Sequence, residues 1–351
     1  MLVGLLLVMM LTYTHESWII AFFVLAGMWL VSYLWAMKLA EGLRLHRQMR
    51  FGWARVGDRL EEQFTLTNNG MAPVLWVEVL DHSTLPNYQA SQVRAVGNYS
   101  QIRWETEGVC SRRGIFSLGP TTLRTSDPFN LYVVKLHYPQ SVTLTVTPPI
   151  VPLPTIKVAT GGRSGDERPR PKALERTETT TSVRGYVPGD DLRAIHWRTS
   201  ARRGQLFVRD FQHTPAGDWW IILDLEAGVQ VGDGENSTEE YAITLAASLT
   251  DRGLRAGRAV GLMAYGQDLG GPEAGLVRFR PQPGDAQRHQ ILQALATINP
   301  GTTPLAELLS QTRLGHLGSI IVITPNVNSQ WIEMLLSRRR PETAFTVLLF
   351  D

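Results

Sequence analysis

The 351 residues predict a multidomain chain: an N-terminal helical membrane hairpin, a β-sandwich, and a doubly wound α/β domain. Three observations predict it. Trp18 to Met37 is a run of twenty residues without a charge. From Val56 to about Pro149, short alternating segments are broken by turn residues. Beyond Trp219, apolar runs of strand length alternate with segments of helical period. Chain length agrees, since about 300 residues beyond an anchor make a prior for two domains.

At 1.5 Å per residue the uncharged twenty-mer just crosses a hydrocarbon core about 30 Å thick. Trp18 at one end and Tyr33 and Trp35 near the other suit the two interfacial aromatic belts. Met1 to Leu11 is a second apolar run, too short to span comfortably. No basic n-region or small-residue cleavage site precedes Trp18, which argues against a cleaved signal peptide. The run is read as the first arm of a hairpin, residues 1–37, with Thr12 to Ser17 as its outer turn; whether it crosses the bilayer stays open. Lys38, Arg44, Arg47, Arg50 and Arg55 follow, a basic juxtamembrane segment (38–55) that the positive-inside rule places in the cytoplasm. The bulk of the chain is therefore expected in the cytosol, anchored to the lipid bilayer. Cys110 is the single cysteine, in keeping with a reducing compartment. A net charge of +2 is too small to indicate nucleic acid. The oligomeric state is not legible.

In the predicted sandwich (56–150), Glu62 to Thr67 alternates, Asn68-Asn69-Gly70 turns, and Val74 to Leu80 alternates again. Further strands are expected at Ser100–Trp104, Gly114–Leu118, Thr121–Arg124, Leu131–Leu136 and Val142–Val146, a spacing that fits an immunoglobulin-sized sandwich. Residues 151–182, rich in Pro, Gly, Thr and Arg, read as an exposed linker.

In the α/β part (214–351), strands are expected at Trp219–Leu225, Ala259–Tyr265, Ser319–Thr324 and Phe345–Phe350. Helices are expected at Glu239–Leu254 (with Tyr241, Leu245, Ser248 and Leu249 on one face), Asp285–Ile298, Pro304–Arg313 and Gln330–Arg339. This alternation predicts a parallel, doubly wound sheet. Trp219-Trp220 is read as core, and Arg338-Arg339-Arg340 as a cationic helix end.

Between linker and sheet lies the densest stretch, Val183 to Phe211, V-R-G-Y-V-P-G-D-D-L-R-A-I-H-W-R-T-S-A-R-R-G-Q-L-F-V-R-D-F. Six arginines against three aspartates leave a surplus of three positive charges. Pro188-Gly189 suits the centre of a tight turn. Asp190 is then placed to cap a short helix with Leu192 and Ile195 on one face and Arg193 and Trp197 on another, ended by Thr199-Ser200 and Gly204. Gln205 to Phe211 alternates like a strand. Two readings stay open: a self-satisfied Asp–Arg network that pins a loop, or a site for an anion or a partner. The candidate docking residues are Arg184, Tyr186, Pro188, Gly189, Asp190, Asp191, Arg193, His196, Trp197, Arg198, Arg202 and Arg203. No catalytic residue is assigned. The alternative is an enzyme on a phosphorylated or otherwise anionic envelope precursor, with the arginines gripping the anion and Asp190, Asp191 or His196 as acid–base.

The pattern R-x-Y-x-P-G-D-D-x-R-x-I-H-W-x-x-S-A-R-x-G-x-L in this stretch resembles that of the domain of unknown function 58 family. Arg112 to Pro120 (R-R-G-I-F-S-L-G-P) and Ser126 to Leu131 (S-D-P-F-N-L) look like its second recurrent block and are assigned no chemistry. The resemblance implies a bacterial or archaeal membrane-anchored protein with a von Willebrand factor A-like domain. It also implies a MoxR-type AAA+ ATPase as partner, with the pair acting in assembly or remodelling of membrane or envelope complexes. In an A-type domain a divalent cation sits above the carboxyl ends of the strands, held by D-x-S-x-S, a threonine and a second aspartate. Here the first block reads Asp224-Leu225-Glu226-Ala227-Gly228, so only Asp224 survives. Gly301-Thr302-Thr303-Pro304 keeps the threonines, and Thr324-Pro325-Asn326 stands where an aspartate is expected. Asp224, Thr302 and Thr303 are read as a degenerate remnant, with Asp224 bonding backbone amides and a threonine capping the helix that Pro304 opens; no metal and no cofactor is expected. Gly161 to Gly165 lacks the Lys-Ser/Thr of a phosphate loop, and the eight histidines include no H-x-x-x-H pair.

Overall fold

The computed structural model describes residues 2–12, 15–50, 52–159, 180–186, 195–211, 218–268, 274–311, 318–328, 330–337 and 343–350. The chain divides into two compact units, Met1–Pro148 and Pro149–Asp351.

The first unit opens with α1 (Leu2–Thr12) and α2 (Glu16–Gly42), which pack on one another. Among the described residues, only α2 is long and apolar enough to cross a membrane. It runs five residues past Met37, and its last turns are buried at Ala36, Leu39 and Gly42. The expected juxtamembrane segment is therefore helix end and strand, because Leu39 and Leu43 join the β core.

Ten strands follow: β1 (Leu43–Met49), β2 (Trp53–Arg55), β3 (Arg59–Asn68), β4 (Val74–Asp81), β5 (Gln92–Val96), β6 (Ser100–Val109), β7 (Gly114–Leu118), β8 (Thr121–Ser126), β9 (Val133–Tyr138) and β10 (Val142–Thr147). They form sandwich-like sheets in the orders β1-β3-β6, β5-β4-β8-β9 and β2-β10-β7, antiparallel except for β2 with β10. β1, β2 and β5 are additions to the sequence reading. Basic side chains hide the alternation of β1 (Arg44, Arg47), and β5 is mostly exposed. Phe64, Leu66, Val77, Val79, Leu118, Leu123 and Leu144 fill the core.

Polar groups enter that core as one connected network. Arg47 grips Glu62 with two hydrogen bonds of 2.7 and 2.6 Å and reaches Asp81 at 2.7 Å. The Tyr88 hydroxyl donates a short bond to Glu62 and meets Thr106 at 2.8 Å. Arg47 was counted among the cytoplasmic anchoring charges, but its guanidinium is neutralised inside the sandwich and lies 5.1 Å above the Phe64 ring.

The second unit begins with the first residues of the expected linker, of which 160–179 lie outside the described residues. Ile150, Leu153, Ile156 and Val158 pack on the α/β core, and Arg252 Nη1 donates to the carbonyls of Leu153 and Ile156. Next come β11 (Thr180–Gly185), α3 (Trp197–Arg203) and β12 (Phe207–Phe211), then β13 (Asp218–Leu223), α4 (Thr238–Arg255), β14 (Val260–Asp268) and β15 (Ala274–Gln282). The chain continues with α5 (Asp285–Thr297), β16 (Ile298–Asn299), α6 (Leu305–Gln311), β17 (Gly318–Thr324), α7 (Gln330–Ser337) and β18 (Thr343–Leu349). The sheet runs β15-β14-β13-β17-β18, with β16 on β14. It is mixed rather than wholly parallel, since β15 and β16 pair antiparallel with β14.

Trp219, Ile221 and Leu223 face the core under α4 and α5, while Trp220 and Ile222 face that under α6 and α7, so the sheet is covered on both sides. Along α4 the buried residues include Ala242, Ile243, Ala246, Ala247 and Leu249, while Tyr241 is exposed. Ser237 caps α4 by accepting from the Glu240 amide. The Arg338-Arg339-Arg340 end lies outside the described residues.

Candidate functional site

The Arg-rich stretch folds as a two-stranded antiparallel ribbon, β11 with β12, carrying α3 on its connection. Ile195 bridges Val208 antiparallel, and both are buried. α3 itself begins at Trp197 with His196 as its cap, and Asp190, the expected cap, lies outside the described residues. His196 Nδ1 accepts from the Thr199 amide at 3.2 Å. Thr199 and Ser200 lie inside the helix, and Gly204, at φ 66, closes it as anticipated, because a left-handed C-cap costs glycine nothing.

Ser200 ties the helix to the ribbon: its hydroxyl donates to the His196 carbonyl at 3.1 Å and accepts from the Phe207 amide at 2.9 Å. The His196 amide donates to the Phe207 carbonyl at 2.8 Å, and the Tyr186 amide to that of Leu206 at 2.9 Å. Sequence reasoning gave Ser200 only a helix-ending role; S-A-R ahead of a glycine does not betray a hydroxyl that stitches helix to strand.

On this scaffold Trp197 is 68% exposed. Arg198, Arg202 and Arg203 are exposed beside it, and Arg203 lies 5.4 Å over the Phe207 ring. Tyr186 is half-buried, and Arg184 stands on β11 opposite Val208. Pro188, Gly189, Asp190, Asp191 and Arg193 lie outside the described residues. The described part thus brings Trp197 and three arginines together on one short helix. His196 turns one ring nitrogen inward as a cap acceptor, which occupies the lone pair that a general base at Nδ1 would use.

The second candidate place is the carboxyl edge of the sheet between β13 and β17, where strand order reverses and open α/β sheets usually bind ligands. Asp224 is buried there; its Oδ2 accepts from the Thr324 hydroxyl at 2.5 Å and its Oδ1 from the Glu226 amide at 3.1 Å. Burial pushes its carboxyl above the ordinary range, against the pull of these two bonds, with the Glu226 charge adding to the rise. The threonine block is brought alongside: Glu226 bridges Gly301, and the Ala227 amide donates to the Gly301 carbonyl at 2.7 Å. The third and fourth amides of α6, Glu307 and Leu308, donate to the Pro304 carbonyl. Pro304 therefore occupies the cap position that was expected of Thr302 or Thr303. This donor set does not fit a divalent cation. The one carboxylate inherited from the motif already serves a hydroxyl and an amide, and Thr324 Oγ also accepts from the Asn326 amide. Among the described residues, no three His, Cys, Asp or Glu side chains gather as metal ligands.

The profile of the family described as "Protein of unknown function DUF58" matches residues 182–335, which contain both places. Uncharacterized protein YeaD of Bacillus subtilis (strain 168) is 28% identical over 120 residues, covering 34% of this chain and 26% of the relative. Uncharacterized protein Rv1480 of Mycobacterium tuberculosis (strain H37Rv) is 28% identical over 114 residues, 32% of this chain and 34% of the relative. The matched regions thus span about a quarter to a third of these relatives' lengths. Among solved structures, one similar chain comes from the complex of zinc 2-glycoprotein with prolactin inducible protein from human seminal plasma, at 10% identity and TM-score 0.24, covering 29% of this chain and 92% of that one. Another is the CARDB domain of a Pyrococcus furiosus protein in complex with di-metal ions, at 14% identity and TM-score 0.23, covering 30% and 90%. On sequence, residues 182–335 of this chain are similar to the DUF58 family.

Proposed function

We propose that this protein is a membrane-anchored, non-enzymatic interaction module with its bulk in the cytosol. It docks a partner through α3, and the resemblance to the DUF58 family names a MoxR-type AAA+ ATPase as that partner. The observation that carries the reading is Trp197: a large aromatic ring left 68% exposed on a hydrogen-bonded scaffold, flanked by the exposed Arg198 and Arg202. Tryptophan and arginine are the residues most enriched at the energetic centres of protein interfaces. The second unit supports the likeness to a von Willebrand factor A domain through its strand order and its helices on both faces. In this reading the scaffold is kept and the cation of such domains is replaced by the Asp224–Thr324 bond.

Affinity purification of the tagged full-length protein from detergent-extracted membranes tests the proposal. The ATPase is expected in the eluate of the wild type and depleted from that of Trp197→Ala/Arg198→Glu. A phosphorylated metabolite in the eluate, with no ATPase, would favour the enzyme alternative instead.

A further inference from the structure

The S-D-P-F-N-L block, given no role above, forms the loop between β8 and β9 and sits against α2. Asp127 organises it. Its two carboxylate oxygens accept from the Phe129 amide at 2.9 Å and the Tyr132 amide at 2.6 Å, and the Asp127 amide donates back to the Tyr132 carbonyl at 3.3 Å. The Tyr132 ring stands edge-on to that of Tyr33 in α2, centroids 5.9 Å apart. Ser32, fully buried on α2, lies near the Asp127 carboxylate without a hydrogen bond to it. The loop is therefore fixed to α2 beside residues 32 and 33, inside the uncharged run that ends at Met37. At 1.5 Å per residue, Tyr33 lies about 6 Å short of that end.

The residues that this loop leaves outside are apolar: Phe129 is 53% exposed, and Leu131 and Val133 are each 48% exposed. Further along β9 the outward positions turn polar, with Lys135 and His137 exposed, and Lys38 on α2 is exposed one residue past the uncharged run. Apolar side chains at the depth of the apolar helix and cations just beyond it match the profile of a bilayer surface, where aromatic rings sit at headgroup level and lysines meet anionic lipid.

We infer that Phe129, Leu131 and Val133 insert into the headgroup–acyl boundary of the membrane crossed by α2, so that the sandwich is seated on the lipid and not tethered above it. This rests on the reading of α2 as the membrane anchor.

The test uses full-length protein in nanodiscs of phosphatidylcholine and phosphatidylglycerol, carrying an environment-sensitive fluorophore on one introduced cysteine. Cys110 is fully buried, which directs labelling to the new site. Labels at Phe129→Cys and Leu131→Cys are expected to emit as in an apolar medium and to lose emission in discs of brominated lipid. A label at Glu107→Cys, exposed on β6 seven residues from Ser100, is expected to be unaffected by bromination. A label at Val24→Cys, in mid-span and 61% exposed, reads the anchor by itself. Quenching at 24 without quenching at 129 and 131 overturns the seating while α2 remains an anchor; no quenching at 24 overturns the anchor as well. Apolar emission at 129 and 131 without lipid quenching assigns the loop to a protein contact and also overturns the seating. Melting of each labelled variant alongside wild type, and agreement between the two loop positions, exclude a misfolded loop as the source of either result.

Discussion

Removing the Arg47 guanidinium would leave Glu62 and Asp81 buried without their counter-charge; the two side chains are 0% and 2% exposed. Stranding a buried charge in this way costs about 3–5 kcal/mol, so Arg47→Ala is expected to lower the melting point of the β unit strongly. Adding Glu62→Gln and Asp81→Asn should recover part of the loss, because the stranded charges are then gone; a single variant that melts like wild type would contradict the network. Asp127 works in the opposite sense to Asp224. Burial disfavours its charge, but hydrogen bonds from backbone amides, Tyr132 and Phe129 first among them, outweigh burial and hold its carboxyl below the ordinary range. A depressed folded-state value gives stability that is present above the unfolded value of about 3.9 and is lost as pH falls through the lower folded one. Asp127→Asn should therefore destabilise at neutral pH, by about 1.5–3 kcal/mol for hydrogen bonds to a charged group, and the gap to wild type should narrow as pH falls below about 4. A gap independent of pH would show that the charge is not what holds the loop. At Asp224, millimolar Mg²⁺, Mn²⁺ or Ca²⁺ should leave melting unchanged. A cation at a hundred times its Kd would add about 2.7 kcal/mol, and a shift of that kind abolished by Asp224→Ala would restore the metal reading.

At the scale of elements, the junction of α2 with the first sheet is a close-packed joint. A Cβ on Gly42 would meet the Gly70 amide nitrogen at 2.8 Å and Asn68 Oδ1 at 3.0 Å. Those groups are themselves fixed, since Asn68 donates to the carbonyls of Ala72 and Gly97 and accepts from the Gly70 amide. Gly42→Ala should cost about 1–3 kcal/mol as overpacking, read by thermal melting of the full-length protein in detergent; a neutral result would mean that the joint yields. Such a joint is not visible in sequence, where Gly42 sits among basic residues and N-N-G reads simply as a turn. The strands with strict alternation, β3, β4, β8 and β10, were legible within a few residues, as were α4, α5 and β17. β1 and β5 were not, because their outward faces carry arginines and their inward residues are few. α3 was legible in its end at Gly204 but not in its start: the β-bridge at Ile195 consumes the turn assigned to the helix, and a bridge depends on a partner, Val208, that local pattern does not name. The exposure of Trp197 was equally hidden, since a tryptophan between His196 and Arg198 reads as core or surface with equal ease.

The whole molecule joins an apolar helix, a β unit built around a buried ion network and an α/β unit that carries an exposed aromatic–arginine helix. We propose this last helix as the docking surface. The most direct test is the binding isotherm of the full-length protein, held in nanodiscs, against the purified MoxR-type ATPase, for wild type and for Trp197→Ala. Loss of an interface anchor typically costs 2 kcal/mol or more, so the variant should bind about 30-fold more weakly or worse while melting like the wild type, Trp197 being outside both cores. Equal affinity for the two proteins, with both folded, would contradict the claim.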